Sequence, residues 1–484
     1  MKRIRLVAIQ VLCLFVVVST VLVGYKNLFA GSWERWRPAL AHPTSPSGME
    51  QRAKNTQFAL LTPKPFDSNC AQVGNEAPKE APATSPTNPP PPSTHSSQKP
   101  GDPKLYESAS GYVASILDSQ HTVIPRLECP ALHVTRYEYL QTINDSTRPR
   151  NLKYFFALDL RQSLKVLPRL LGSIVEAVRF LGPASCALSI VEGNSDDGTF
   201  EVLDLLQPEL EKLGLKYIFR HTDVDSKEGE RITKLAALRN MALEPLHSKS
   251  LHADKDTTVV FLNDVAACSE DILELVHQRV LQSADMTCAM DWVYVGNDPT
   301  FYDVWVARTL KGNTFFDIPP DGNWNSAWNL FWNDSESKRR YQEMLPFQVY
   351  ACWNGAAVFG AAPVLGLPPP NKEASHTVDS RRISFRSARQ GECHVGEPTL
   401  FCKDMWWAGF GKIAVVPTVN LEYSDEAAKK IKDLKGYTSK WTESESRDSS
   451  PLRIEWASEP PENVKCMPGW ENQSWRPWNE TLEE

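Results

Sequence analysis

Three short stretches of the chain hold residues whose types and spacing point toward a ligand. The first, SIVEGNSDDGTF, runs from an apolar segment into Glu192, Asn194, Asp196 and Asp197 and leaves through Gly198. An acidic lip repels phosphate, so this is not a phosphate loop. Its carboxylates suit hydrogen bonds from ribose hydroxyls or a base edge; the alternative is an ordinary turn whose acids favour a helix N-terminus. The second, KEGERITKLAALRNMAL, sets Lys227, Arg231 and Lys234 on one helical face, with Ile232, Leu235 and Ala242 turned toward a core. That cluster reads as a diphosphate site or, equally, as a solvated face. The third, TVVFLNDVAAC, follows a β-branched and apolar run with Asn263 and Asp264. A strand that delivers Asp264 at its C-terminal edge puts it where open α/β sheets bind their ligands.

A nucleoside-binding turn, a group of cations and a strand-end carboxylate together form the layout of a nucleotide-sugar transferase. The carboxylate would hold a hard ion, Mn²⁺ or Mg²⁺, against the diphosphate oxygens and neutralise charge as the sugar leaves. The usual signature is Asp-x-Asp, whereas here it is Asn263-Asp264-Val265. Downstream, CAMDWVY, FYDVWVARTLKG and ECHVGEPTLFCKDMWWAGFG supply Asp291, Asp303, Glu397 and Asp404 as candidate hydroxyl ligands. Aromatic faces there and in DGNWNSAWNLFW can carry sugar rings, although most such residues serve a core. His394, flanked by Glu392 and Glu397, is a candidate to complete the metal shell, against a purely structural role.

The elements that must position these groups follow from apolar periodicity. KYFFALDL, CALSIVEG, LKYIFRH and TTVVFLND read as strands. Between them, Leu167, Leu170, Leu171, Ile174 and Val178 form a helical stripe closed by Gly182. TFEVLDLLQPELEKLG is a second helix, capped at Thr199, ended by Gly214 and bent or restarted at Pro208. This alternation predicts an α/β fold with a Rossmann-like, mostly parallel sheet over residues 106–424. The stretch 425–484 is charged, dotted with Trp and weakly periodic, and reads as a surface tail.

A chain of 484 residues with 42% apolar content is long enough for one large or two ordinary globular units. Its net charge of −7 excludes a nucleic-acid partner, because neutralising a run of phosphates needs a basic face. Lys2, Arg3 and Arg5 precede an apolar run that reads as an uncleaved span over 6–24, with a cleaved signal peptide as the rival. Charges ahead of the span keep residues 1–5 cytosolic and direct the rest to the lumen. Residues 25–105, proline-rich and poor in large apolar groups, read as an extended stem. Sequons at Asn144, Asn333, Asn472 and Asn479 fit a luminal head. Of the nine cysteines beyond the span, Cys268 and Cys288 read as plain buried thiols, while Cys393 and Cys402 bracket a loop closely enough to pair.

From Tyr154 to Tyr423 the chain resembles the fungal α-1,3-mannosyltransferase family that includes the cryptococcal mannosyltransferase and the capsule-associated proteins. The likeness rests on EGNSDDGT, ERITKLAALRN, VVFLNDV, AMDWVY, FYDVWVAR, CWNGAAVF and LFCKDMWWAGFGKIAVVPTV, in that order. The resemblance implies a type II Golgi membrane enzyme with a GT-A-like fold that moves mannose from GDP-mannose to a mannose-containing glycan, with Mn²⁺ or Mg²⁺, in cell-wall or capsule synthesis. It places Asp264 at the family's acidic metal position and Glu192, Asp196 and Asp197 in its nucleotide-binding turn; Arg231, Lys234 and Asn263 join the nucleotide-sugar site on the residue reading alone. An α linkage made from an α donor is retaining, so the leaving diphosphate itself takes the acceptor proton. Asp291, Asp303, Glu397 and Asp404 then orient the acceptor or support the cationic transition state. Two other readings stay open: a non-catalytic export or assembly factor, and a transferase of another nucleotide sugar.

Overall fold

The computed structural model describes residues 101–121, 123–142, 151–225, 229–369, 382–442 and 453–482. The predicted span at 6–24, all but the last residues of the stem, Asn144 and Lys227 lie outside these. Among the described residues no helix is long and apolar enough to cross a membrane.

All four predicted strands form: β1 Tyr154–Leu160, β2 Cys186–Glu192, β3 Lys216–His221 and β4 Thr258–Leu262. They are joined by helices α2 Leu167–Leu181, α3 Thr199–Lys212 and α4 Arg231–Leu243, while α1 Pro103–Leu117 precedes them. The four strands pair in parallel in the order β3-β2-β1-β4. After α5 Ser269–Leu281 come β5 Met286–Val295, β6 Asp298–Phe301, β7 Arg308–Thr309, α6 Ser335–Gln342, β8 Phe347–Ala351 and β9 Ala356–Gly360. Helix α7 Glu397–Trp407, β10 Ile413–Leu421, α8 Asp425–Lys435 and a hairpin of β11 Asn463–Cys466 and β12 Ser474–Pro477 complete the order. The sheet continues past β4 as β9-β5-β10-β8-β7, with β6 paired to β5. Strands β9, β8 and β6 run against the remaining seven.

The core lies on both faces of the sheet, and strand alternation decides which side chain goes where. Phe156 and Leu158 of β1 pack with α2, α3 and α5, whereas Phe155 and Ala157 pack with α4 and α7. Next in that second series is Asp159. A carboxylate is thereby carried, in phase, to the end of the face covered by α4 and α7.

Several expectations change. Helix α3 begins at Thr199 with Gly198 as its cap, and it runs through Pro208 without interruption. The disulfides are Cys129–Cys268, Cys288–Cys352 and Cys393–Cys466, and Cys402 is a buried free thiol. Cys268 and Cys288 are therefore bridged, and Cys393 reaches across the fold instead of pairing within its own loop. The expected surface tail is bound to the head. Lys432 forms a buried ion pair of 2.6 Å with Asp271, Arg308 donates to the Lys465 carbonyl at 2.9 Å, and Lys403 donates to the Glu480 carbonyl at 2.7 Å. Of the described sequons, Asn472 is exposed, while Asn333 and Asn479 are half-buried.

Candidate active site

The ends of β1 and β4, the start of α7 and the turn after β6 converge on one guanidinium. Arg239 lies on α4 in phase with Ala236 and Ala242, so the helix turns it inward with the apolar stripe, where only 7% of it is exposed. Its Nε is 2.9 Å from an oxygen of Glu397, the first residue of α7. The guanidinium lies 4.4 Å from the ring centre of Trp353 and 5.5 Å from those of Phe261 and Phe385. Its Nη1 is buried with no hydrogen-bond partner among the described residues.

Four carboxylates feel that cation. Burial pushes Asp159 up to about 6, the Glu397 and Asp264 charges add to the rise, and Arg239 opposes it. Asp303 is held at about 6 by burial and by Glu397, against a hydrogen bond from the Asn354 N–H and the pull of Arg239. Asp264 and Glu397 are likewise raised by burial and drawn back by Arg239. Such a concentration of desolvated acid, only partly answered by one cation, is a strong physical mark of a functional centre.

The wall opposite is built by Cys352-Trp353-Asn354-Gly355. The Trp353 indole donates to Asn263 Oδ1 at 3.0 Å, the Asn354 N–H to Asp303 Oδ2 at 2.9 Å, and the Asn354 amide to the Ala289 carbonyl at 2.8 Å. Asn354 and Gly355 both take positive φ, at 54° and 81°. A Cβ on Gly355 would stand 3.2 Å from Val265 and 3.3 Å from the Asp291 Cβ, so only glycine closes this corner without strain. The Cys288–Cys352 bridge ties the loop to β5 three residues before Asp291. Asp291 is fully buried and accepts from the Tyr423 hydroxyl at 2.7 Å; burial and the nearby Asp303 charge push it well above the ordinary carboxylate range, which favours its neutral form.

The other predicted site residues sit elsewhere or serve the frame. Glu192 accepts from the Ser195 N–H at 2.6 Å and faces His221 Nδ1 at 2.7 Å. Asp197 accepts from the Thr199 N–H at 3.0 Å, the Thr199 hydroxyl at 2.7 Å and the Leu164 N–H at 3.0 Å. Asp196, exposed, accepts from the Gln162 amide at 2.5 Å. The acidic turn is thus stapled to the loop that follows β1. Lys234 donates to the Asp225 carbonyl at 2.8 Å, while exposed Arg231 is near enough to act on the Glu397 and Tyr302 charges. Ile232 and Leu235, expected to face the core, are half-exposed. Asp404 is not drawn into the centre: it forms a two-pronged pair with Arg386 at 2.7 and 2.8 Å. His394 stands 3.7 Å from Glu230 at the cap of α4.

Asp159 and Arg239 were missed in the sequence although each carried a signal. Asp159 ends the alternating series Phe155, Ala157, Asp159, and Arg239 occupies an apolar phase of its helix.

Residues 153–404 match the model of the family described as Cryptococcal mannosyltransferase 1. The chain belongs to that family. It is thereby a glycosyltransferase, and all the groups around Arg239 fall inside the matched span. The chain is 36% identical over 357 residues to alpha-1,3-mannosyltransferase CMT1 of Cryptococcus neoformans var. neoformans serotype D, covering 69% of this chain and 74% of that one. Among solved structures, S. aureus TarS residues 1–349 in complex with UDP aligns at 14% identity and a TM-score of 0.32, over 56% of this chain and 60% of that chain. A mannosyltransferase of Pyrobaculum calidifontis, PcManGT, in complex with GDP-Man and Mn²⁺, aligns at 11% identity and a TM-score of 0.30, over 66% of this chain and 67% of that one.

Proposed function

We propose that this glycosyltransferase moves mannose from GDP-mannose to a mannose-containing glycan with an α-1,3 linkage. The observation that carries the reading is the 36% identity over 357 residues to an enzyme named for that transfer. In this reading a GT-A-like head faces the Golgi lumen, held by the 6–24 span and the stem, and serves cell-wall or capsule glycan synthesis. Three disulfides within the head are in keeping with an oxidising compartment.

Asp264 and Asp159, at the ends of adjacent strands, would hold a divalent ion. The donor set fits a hard cation, since both are half-buried carboxylates with oxygen donors and the Asp264 charge raises the energy of the charged form of Asp159. Among the described residues no group of three or more His, Cys, Asp and Glu forms a protein-only cage. A shell of one or two carboxylates completed by phosphate oxygens and water is the usual Mg²⁺ arrangement. When bound, the ion would neutralise charge on the leaving diphosphate. Arg239 fixes Glu397 against this pair, and exposed Arg231 offers a further positive charge at the rim. Asp303, oriented by the Asn354 N–H, faces the same centre and is placed to orient an acceptor hydroxyl. His394, turned toward Glu230, is left out of the shell.

The test is nucleotide release by the full chain with a panel of nucleotide sugars, with and without mannosides, before and after EDTA. Mannoside-stimulated GDP release that EDTA abolishes and Mn²⁺ restores is the expected result. Stimulated release from a different donor would overturn the choice of sugar; a folded chain with no turnover of any donor would overturn the catalytic reading.

A further inference from the structure

The loop 319–333, between β7 and α6, reads PPDGNWNSAWNLFWN and carries Trp324, Trp328 and Trp332 at intervals of four, with Asn323, Asn325, Asn329 and Asn333 beside them. It holds neither helix nor strand. Trp328 is 83% exposed and Trp332 41%, so neither indole is there to fill a core. Trp324, half-buried, meets Trp470 edge-on at 6.1 Å, and Trp470 lies 4.1 Å from Trp305. Trp305 is two residues beyond Asp303. Three neighbouring indoles therefore join the chain segment that carries Asp303 to an exposed aromatic loop.

The loop is ordered in advance. Asp321 accepts from the Asn323 N–H at 3.1 Å and its amide at 2.6 Å, Asn323 accepts from the Asn325 N–H at 3.1 Å, and Lys338 donates to Asn329 at 2.8 Å. Gly322 lies against the Trp470 ring, where a Cβ would come within 2.8 Å. The chemistry of the face selects its occupant. A protein hot spot is ringed by contacts that exclude water, whereas these rings are flanked by carboxamides. A membrane-surface segment needs Lys or Arg on its polar side, and the loop has none. Flat apolar faces beside amide donors and acceptors match a sugar ring, which presents C–H groups on its faces and hydroxyls at its edge.

We propose that the 319–333 loop, with Trp470 and Trp305 beneath it, is a subsite for the acceptor glycan, holding sugar residues other than the one that receives the transferred group. This rests on the reading above, that the acceptor is a glycan.

The experiment compares kcat/KM of the full chain for a mannotetraose and for methyl mannoside, in the wild type, in Trp328→Ala, and in Trp475→Ala as a control at a different exposed indole. The wild type is expected to favour the longer acceptor. Trp328→Ala should lower the long-to-short ratio about tenfold, the scale of one aromatic anchor, and Trp475→Ala should leave the ratio in place. No preference for length in the wild type, or an equal fall for both acceptors in Trp328→Ala, would overturn the subsite. Should no donor turn over, the transferase reading fails on its own account, and the subsite is then read from tryptophan fluorescence. A mannotetraose-dependent change that is lost in Trp328→Ala supports it; no change in the wild type overturns it.

Discussion

The turn after β2 and the edge formed by β1 and β4 are both acidic, both follow buried strands, and they behave in opposite ways. In the turn, Glu192, Asp196 and Asp197 are each met by hydrogen bonds from their own neighbourhood, and their charge is spent on holding the turn against the loop after β1. At the edge and in the two elements that meet it, Asp159, Asp264, Asp303 and Glu397 are all raised by burial, and Arg239 opposes the rise in all four. A carboxylate surrounded by donors stabilises a fold; carboxylates left to repel one another are kept for something that arrives.

The most direct way to break this contrast is Asp264→Asn, which should cut sugar transfer by about 1000-fold, the upper range for loss of one electrostatic group at a reacting centre. Retention of more than half the activity would remove Asp264 from the centre. Arg239→Met leaves Glu397 buried without its partner and should cost about 3 kcal/mol in denaturant unfolding. Adding Glu397→Gln should return part of that loss, whereas additive losses would mean that the pair is not coupled. On the other side of the contrast, Asp197→Ala removes a support of the α3 N-terminus and should cost about 1 kcal/mol, with a far smaller effect on transfer than Asp264→Asn. A loss of transfer as large as that of Asp264→Asn, in a protein that melts normally, would give the turn a part in the chemistry.

The last effect is a slope with pH. Asp159 titrates at about 6 in the fold, above its ordinary value near 3.9, so the folded state prefers it protonated. Its contribution is full below about pH 4 and lost as the pH rises through about 6. Asp159→Asn should therefore gain melting temperature relative to wild type between pH 5 and pH 7, measured without divalent metal. An unchanged difference across that range would mean that Asp159 is not held at high energy.

Both acidic regions read alike in the sequence because a short acidic motif says nothing of what surrounds it. The four parallel strands were legible from apolar runs, as was the α2 stripe closed by Gly182, because both patterns are local. The antiparallel insertion of β9 between β4 and β5 was not, since strand order is a long-range property that no local period encodes. Disulfide partners were hidden for the same reason, and Cys393 pairs across 73 residues. Asp264 was visible as the polar end of an apolar strand. Arg239 was not, because a cation among alanines on a helix reads as one more charge until the Trp353, Phe261 and Phe385 rings are seen around it.

The hairpin of β11 and β12 has a consequence for biosynthesis. It covers Arg308 through the Lys465 carbonyl, supplies Trp470 to the indole stack on Trp305, and carries the Cys466 thiol that Cys393 requires. These residues leave the ribosome after every strand of the large sheet. A nascent chain that has already made all ten strands still lacks the Lys465 carbonyl that Arg308 meets and holds an unpaired Cys393 thiol. Completion of this side of the head is thereby tied to the last stage of synthesis, and a chain stopped before Cys466 would show an open thiol and a bare indole by which quality control could know it.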